Sequence, residues 1–125
     1  IGRDPKVCIL SSGYMLGRAL EVSRKLENCE VSVVDLFRLK PIDGVVFEEL
    51  VEDFDYVITL EEQTLSGGFG SAVCEALADL GLQKKVLRIG LPEAYIFQNA
   101  ARDYLLDNNG LSVEAICEQI NELVR

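Results

Sequence analysis

The stretch from Glu61 to Ala72 holds the residues of this chain that are best spaced for chemistry. Two adjacent carboxylates, Glu61 and Glu62, follow an apolar run typical of a buried strand, and the glycine-rich segment 67–70 precedes a helical pattern. Paired carboxylates can act as acid and base, and glycines ahead of a helix let backbone amides approach a phosphate. The sequence therefore marks this stretch as the first candidate for a site.

Sequence features argue against both functions, phosphate binding and acid–base catalysis. The glycines lack the Lys-Ser/Thr of a P-loop and the G-x-G-x-x-G spacing, and two carboxylates just upstream would repel an anion. Neighbouring residues of a strand point to opposite faces, so at most one of Glu61 and Glu62 faces a given site. One could be buried against N–H groups of a partner or against a basic residue, and at least one is expected in solvent. The simpler prediction is close packing of a tight turn, or of another chain, against bare backbone.

Two weaker candidates lie in other predicted loops. Ser11-Ser12-Gly13 follows the first strand, where we expect an ordinary strand-to-helix turn with a serine cap. Arg38 and Lys40 could meet an anionic ligand or another chain, but we expect solvated loop charges.

The composition removes whole classes of chemistry. The chain has no histidine, which excludes a Ser-His-Asp or Cys-His mechanism within it and removes the commonest zinc ligand. None of the cysteines forms a C-x-x-C pair, and we expect small, mostly buried side chains in a reducing cytoplasm; they are Cys8, Cys29, Cys74 and Cys117. We therefore predict no catalytic, cofactor-binding or metal-ligating residue in this chain.

Length and charge narrow the choice of partner. The 125 residues are 49% hydrophobic, which predicts one folded domain over residues 1–125. Only 12 basic residues stand against 21 acidic ones, giving a net charge of −9, so neither nucleic acid nor an anionic membrane is an expected partner. No apolar run reaches the roughly 20 residues that span a bilayer. Because Ile1 opens almost directly into a strand, we expect a fragment of a longer, cytoplasmic protein.

Apolar patterns of strand and helix type alternate along the chain. Strands are predicted over 6–11, 31–34, 55–60 and 84–89, and helices over about 15–26, 44–54, 72–80, 100–106 and 112–124. Such an order favours an α/β fold with a parallel, doubly wound sheet covered on both faces. A partner or ligand is then expected at the carboxyl ends of the strands, where the loops 11–15, 35–43, 61–70 and 90–98 fall.

Five segments keep an order and spacing that we recognise: Val33–Leu36, Leu39–Asp43, Val57–Glu62, Gly67–Val73 and Arg88–Pro92. Together they resemble the C-terminal domain of the transketolase family, which includes transketolase, 1-deoxy-xylulose-5-phosphate synthase and the beta subunits of 2-oxoacid dehydrogenases. The resemblance implies a three-layer α/β/α fold with a mostly parallel sheet of five strands, one of them antiparallel. Since only four strands are predicted, the antiparallel one is expected upstream of Ile1.

The resemblance also implies a role. In this family thiamine diphosphate and magnesium are held by the preceding domains, so the third domain serves dimer contacts and assembly. The parent would transfer a two-carbon ketol unit between sugar phosphates as a homodimer, and the isolated domain would be inactive. Two alternatives remain open: a docking domain of a 2-oxoacid dehydrogenase beta-type subunit, and a small domain that binds an anion at its glycines.

Many family members carry histidine where Gln63 stands, and many carry a His-Gly or Gln-Gly pair near residues 97–100. With no histidine in this chain, no proton transfer is expected at either place. We therefore predict that the Glu-to-Gly stretch contacts protein instead of substrate. This predicted interface loop consists of Glu61, Glu62, Gln63, Gly67, Gly68, Phe69 and Gly70.

Overall fold

The computed structural model describes residues 2–125. Strands and helices alternate as the sequence predicts, and a single non-α turn separates the last two helices. The elements are β1 (Lys6–Ser11), α1 (Met15–Lys25), β2 (Glu30–Asp35), α2 (Gly44–Val51), β3 (Tyr56–Thr64), α3 (Phe69–Asp79), β4 (Lys85–Leu91), α4 (Arg102–Leu106) and α5 (Val113–Val124).

The described residues form a four-stranded sheet in the order β2-β1-β3-β4, and every neighbouring pair is parallel. In β1, Ile9 lies opposite Val33 of β2 and Ile58 of β3. The antiparallel fifth strand implied by the family resemblance is not among residues 2–125. The chain passes from β1 outward to β2 and then back to β3, so the topological switch point lies between β1 and β3.

Helices cover both faces of the sheet because alternate strand residues are apolar on both sides. Val7 and Ile9 pack into one cluster with residues of α1 and α5, whereas Cys8 and Leu10 pack into another with residues of α2 and α3. Burying one such side chain contributes roughly 1.5–3 kcal/mol. These two cores confirm the predicted three-layer α/β/α architecture.

Local signals at the helix ends explain where three helix termini fall. The Asp43 carboxylate accepts hydrogen bonds from the Val45 and Val46 amides at 3.1 and 3.2 Å, which caps α2. The Ser112 hydroxyl caps α5 by accepting a hydrogen bond from the Ala115 amide at 3.1 Å. Gly81 follows α3 with φ of +67°, the left-handed conformation expected after a helix.

Four predicted boundaries are wrong. Helix α3 begins at Phe69, three residues before the predicted start at residue 72. Helix α2 stops at Val51, short of residue 54. Strand β3 continues to Thr64, past the predicted end at residue 60, and β4 continues through Gly90 to Leu91. Between Leu60 and Thr64 the pairing of β3 with β4 shifts register, so β3 contains an irregular, bulged stretch. The interface loop therefore begins inside the sheet.

Candidate functional site

A cleft of about 450 Å³ opens at the carboxyl edge of the sheet, beside the switch point. Three of the four loops predicted for this edge contribute to its walls, those after β1, β2 and β3. The lining consists of Ser12, Gly13, Tyr14, Leu39, Lys40, Leu60, Glu61, Glu62, Gln63, Gly67, Gly68, Phe69 and Ala72. Most of the interface loop lines this cleft, so the geometry of the cleft bears directly on what that loop can do.

Glu61 turns inward and binds its own chain. Its side chain is 3% exposed; Oε2 accepts a hydrogen bond from the Phe69 amide at 2.7 Å and Oε1 accepts one from the Gly70 amide at 2.9 Å. These amides belong to the first turn of α3, where backbone donors lack a partner within the helix and the helix dipole favours negative charge. Glu61 thus occupies the place that a bound phosphate would need.

The glycines of the interface loop and of β4 make room for this carboxylate. A Cβ atom at Gly68 would collide with Glu61 Oε2 and lie 2.7 Å from the Thr64 carbonyl oxygen. At Gly70 a Cβ would lie 2.6 Å from Thr59 Oγ1, and at Gly90 it would lie 2.9 Å from Glu61 Cγ. The prediction of close packing against bare backbone is confirmed here within this chain.

Arg88 supports the same joint from β4. Its side chain donates hydrogen bonds to the Leu65 carbonyl and, at 2.8 Å, to the Ser71 hydroxyl. Arg88 lies opposite Thr59 in the parallel register, and in the described part of the chain Arg88 Nε and Thr59 Oγ1 are buried without a hydrogen-bond partner. Sequence reasoning missed this role, although an arginine in the middle of an apolar strand was a visible signal.

Glu62 points to the opposite face and ties β3 to α4. Its carboxylate receives two hydrogen bonds from Arg102, one of them 2.8 Å from Nε to Oε2. The Arg102 guanidinium also lies 3.9 Å from the centre of the Tyr14 ring, and the Tyr14 hydroxyl donates to Asp103 at 2.6 Å. The opposite orientation of the two glutamates, predicted from strand geometry, is confirmed, and the basic partner of Glu62 is identified.

The hydrogen bonds around Arg102 and Tyr14 shift the pKa values of the residues that they join. The hydrogen bond from Tyr14, followed by that from Arg18, lowers the pKa of Asp103. The hydrogen bond to Glu62 raises the pKa of Arg102, and the hydrogen bond to Asp103 raises the pKa of Tyr14. These shifts favour the charged forms of Asp103 and Arg102 and the protonated form of Tyr14, which are the forms that make the hydrogen bonds. The network therefore stabilises the fold.

The interface loop therefore divides into two groups. Glu61, Phe69 and Gly70 are buried, and the two polar contacts of the Glu61 carboxylate are within the chain. The members that reach the surface are Gln63 and Gly67, which are exposed, and Glu62 and Gly68, which are half-buried. Any partner that meets this loop does so through the second group.

The other charged loop residues, Arg38 and Lys40, are both exposed. Lys40 lines the cleft, whereas Arg38 borders a smaller apolar groove of about 190 Å³ beside α2. Ser11 is buried and its hydroxyl donates to the Leu60 carbonyl at 2.9 Å. Ser11 therefore binds β3. Within residues 2–125 no side chain caps the start of α1, so the expectation of a serine cap is wrong.

The described residues do not fit a thiamine diphosphate and magnesium site. Within 2–125, no three or more His, Cys, Asp or Glu side chains gather in a way that could hold a metal ion. The α3 amides best placed for a diphosphate already bind Glu61.

Burial raises the pKa of the Cys8 thiol to about 12, which makes it a poor nucleophile.

No helix formed by residues 2–125 is both long enough and apolar enough to cross a membrane.

Comparison with known proteins gives a consistent assignment. The sequence model of the family described as "Transketolase, C-terminal domain" matches residues 2–116. The 1-deoxy-D-xylulose-5-phosphate synthase of Haemophilus influenzae is 41% identical over 120 residues, which cover 96% of this chain and 19% of that protein. The corresponding synthase of Chlorobium phaeovibrioides is 39% identical over 114 residues, covering 90% of this chain and 18% of that protein.

A solved structure shares the fold. The chain of "Split gene transketolase, inactive beta4 tetramer" superposes with a TM-score of 0.82 and 30% sequence identity, over 98% of this chain and 41% of that one. The present chain thus spans about a fifth of the length of the curated relatives that it matches. The match over residues 2–116, the identities and the shared fold show that the chain belongs to the family of transketolase C-terminal domains.

Proposed function

We propose that this chain is the C-terminal assembly domain of a thiamine-diphosphate-dependent, transketolase-type transferase. Its task is to hold the thiamine-binding parts of the parent enzyme together as a dimer, and it performs no catalysis alone. The observation that carries the proposal is the inward turn of Glu61. Its carboxylate, one of the two that line the cleft, is committed to the α3 amides.

The remaining cleft residues support an assembly role. Among residues 2–125 the polar side chains in the cleft walls, besides Glu61, are those of Ser12, Tyr14, Lys40, Glu62 and Gln63; Tyr14 is hydrogen-bonded to Asp103 and Glu62 is paired with Arg102. A general base must reach the proton that it abstracts, and the two carboxylates that line the cleft, Glu61 and Glu62, are both engaged by donors of this chain. The relatives are metabolic enzymes by name, and we propose that the parent works in the cytoplasm.

For the parent we propose the reaction named by the curated relatives, formation of 1-deoxy-D-xylulose 5-phosphate. Identities of 39% and 41% to two synthases favour it over ketol transfer between sugar phosphates. Thiamine diphosphate and magnesium then bind to parts of the parent outside residues 2–125. The anion-binding alternative loses support because Glu61 fills the α3 amides, and no specific observation favours a docking domain of a dehydrogenase.

The test is to divide the parent enzyme. The parent with residues 1–125 deleted is assayed for 1-deoxy-D-xylulose 5-phosphate, alone and after the present chain is added back. We expect little product from the deletion variant and partial recovery when the chain is supplied. A deletion variant that turns over as fast as the full parent would overturn the proposal, as would product formed by the chain alone.

A further inference from the structure

The dipeptide Asn109-Gly110 lies in the turn Asp107–Leu111, which joins α4 to α5. Gly110 has φ of +83°, in the left-handed region that glycine adopts without strain. Gly110 is exposed, and no non-neighbouring atom of the described residues lies within 4 Å of the place where its Cβ would stand. The backbone that follows Asn109 is therefore open to solvent.

An asparagine followed by glycine can lose its side-chain amide without an enzyme. The backbone nitrogen of the glycine attacks the asparagine Cγ, and no Cβ on the glycine hinders its approach. A new C–N bond closes a succinimide ring, the bond from Cγ to the side-chain nitrogen breaks, and ammonia leaves with the proton of the backbone amide. Water then opens the ring to aspartate or, at the other carbonyl, to isoaspartate. The reaction needs no reactant besides water.

The folded turn opposes this reaction at Asn109. The side chain is half-buried, and its Nδ2 donates a hydrogen bond to the Leu105 carbonyl at 2.6 Å. Because Nδ2 is the atom that departs as ammonia, the reaction cannot be completed while this bond to α4 is kept. Conversion of Asn109 therefore requires that the turn open locally.

Arg18 clamps the turn on both sides of the dipeptide. From α1, its guanidinium donates to Asp107 Oδ1 and to the Leu111 carbonyl, each at 2.5 Å. It also donates to Asp103 of α4 at 3.1 Å. The Arg18 side chain is 11% exposed, and hydrogen bonds from a charged donor are stronger than neutral ones. Opening the turn therefore has to break strong contacts of Arg18.

We propose that Asn109 is a site of spontaneous deamidation and that Arg18 sets its rate by holding the turn Asp107–Leu111 closed. Neither the site nor the clamp depends on the proposed assembly role. The product changes the joint, because a carboxylate at position 109 only accepts hydrogen bonds and would face the Leu105 carbonyl without a donor. Isoaspartate also lengthens the backbone within the turn. Each converted molecule therefore has a weaker connection between α4 and α5.

Peptide mapping by mass spectrometry measures the conversion directly. The full chain is kept in warm, mildly alkaline buffer, and each asparagine is followed for the mass gain of an exchange from amide to acid. Asn108 is the internal control, because it is exposed and its Nδ2 donates to the Tyr104 carbonyl at 2.7 Å, but asparagine follows it instead of glycine. We expect aspartate and isoaspartate at Asn109 while Asn108 stays an amide. An Asn109 that keeps its amide as long as Asn108 does would overturn the site.

The clamp is tested with two variants. Arg18→Met removes the contacts with the turn, whereas Glu61→Gln disturbs the buried contacts with α3 and leaves the turn unchanged. Since hydrogen bonds to charged groups are among the stronger contacts of a folded chain, we expect Arg18→Met to accelerate conversion at Asn109 by about tenfold or more. Glu61→Gln should convert at close to the wild-type rate.

Circular dichroism checks that both variants are folded. If Arg18→Met is unfolded, Arg18→Lys takes its place, because lysine keeps the charge but not the planar fork that binds several acceptors. An Arg18 variant that converts at the wild-type rate would overturn the clamp. Equal acceleration in the Arg18 and Glu61 variants would overturn it as well, because conversion would then follow unfolding of the whole domain.

Discussion

Replacing Glu61 by Gln tests the internal carboxylate cap most sharply. The substitution preserves the size of the side chain but turns one of the two acceptor oxygens into an NH2 donor. At Glu61 these oxygens accept from the Phe69 and Gly70 amides at 2.7 and 2.9 Å, at a site that is 3% exposed. The variant therefore places a donor against a donor in a buried position.

The size of the effect follows from the bonds that are lost. A hydrogen bond to a charged group contributes about 1.5–3 kcal/mol, and a buried donor left without a partner costs about 1–3 kcal/mol. One of the two bonds survives through the remaining oxygen, so we expect the free energy of unfolding to fall by about 3 kcal/mol. Domains of this kind have roughly 5–15 kcal/mol in total, so the variant still folds.

Urea unfolding followed by circular dichroism measures this difference, with Glu62→Gln as the matched control. Glu62 pairs with the half-exposed Arg102, and such surface pairs contribute little, so the control should unfold close to wild type. A Glu61→Gln midpoint that coincides with that of Glu62→Gln would refute the reasoning about the buried cap.

Three further predictions follow from the structure. Gly70→Ala should destabilise the domain because the new Cβ would lie 2.6 Å from the buried hydroxyl oxygen of Thr59. Gly17→Ala, within α1, has no neighbouring atom within 4 Å of the new Cβ and should raise the free energy of unfolding by about 0.5–1 kcal/mol. A higher melting temperature for Gly70→Ala than for Gly17→Ala would contradict this packing. The amide of Lys6 donates a hydrogen bond to Asp55 and lowers the pKa of that carboxyl. The stabilisation from Asp55 is therefore complete above the unfolded-state pKa of about 3.9 and is lost as the pH falls through the lower folded-state pKa. Asp55→Asn should make the free energy of unfolding depend less on pH in this acid range, and an unchanged pH dependence would count against the prediction. Since burial raises the pKa of Cys8 to about 12, this thiol should be the last of the cysteines to react with a disulfide reagent under native conditions, and its early modification in mass spectra would show that the core opens.

Much of the fold could be predicted because its signals are local. Apolar runs of strand type alternate with helical spacing, and Asp43 and Gly81 mark helix ends through contacts with their own backbone neighbours. The carboxyl edge and three of the loops that line the cleft follow from the parallel topology alone.

The site could be predicted only in part because its contacts are not local. Polarity at Glu61-Glu62-Gln63 favours a loop, yet β3 continues through them, since Glu61 is buried by bonds to amides eight and nine positions further along. Likewise Arg102 lies forty positions from Glu62, a distance at which spacing carries no information. The sequence predicted a glutamate buried against N–H groups of a partner or against a basic residue, whereas Glu61 is buried against N–H groups of its own chain.

The exposed aromatic pair of Tyr95 and Phe97 is a second feature that the sequence left unassigned. A loop is predicted over 90–98, and residues 93–98 form neither strand nor helix. Irregular backbone does not reveal whether its side chains turn inward, and Tyr95 and Phe97 turn outward.

The most direct measurement of the assembly role is the mass of the parent enzyme in solution. Light scattering compares the full parent with a variant that lacks residues 1–125, both loaded with thiamine diphosphate and magnesium. We expect the full parent to be a dimer and the shortened protein to dissociate at the same concentration. A shortened protein that remains fully dimeric would contradict the account.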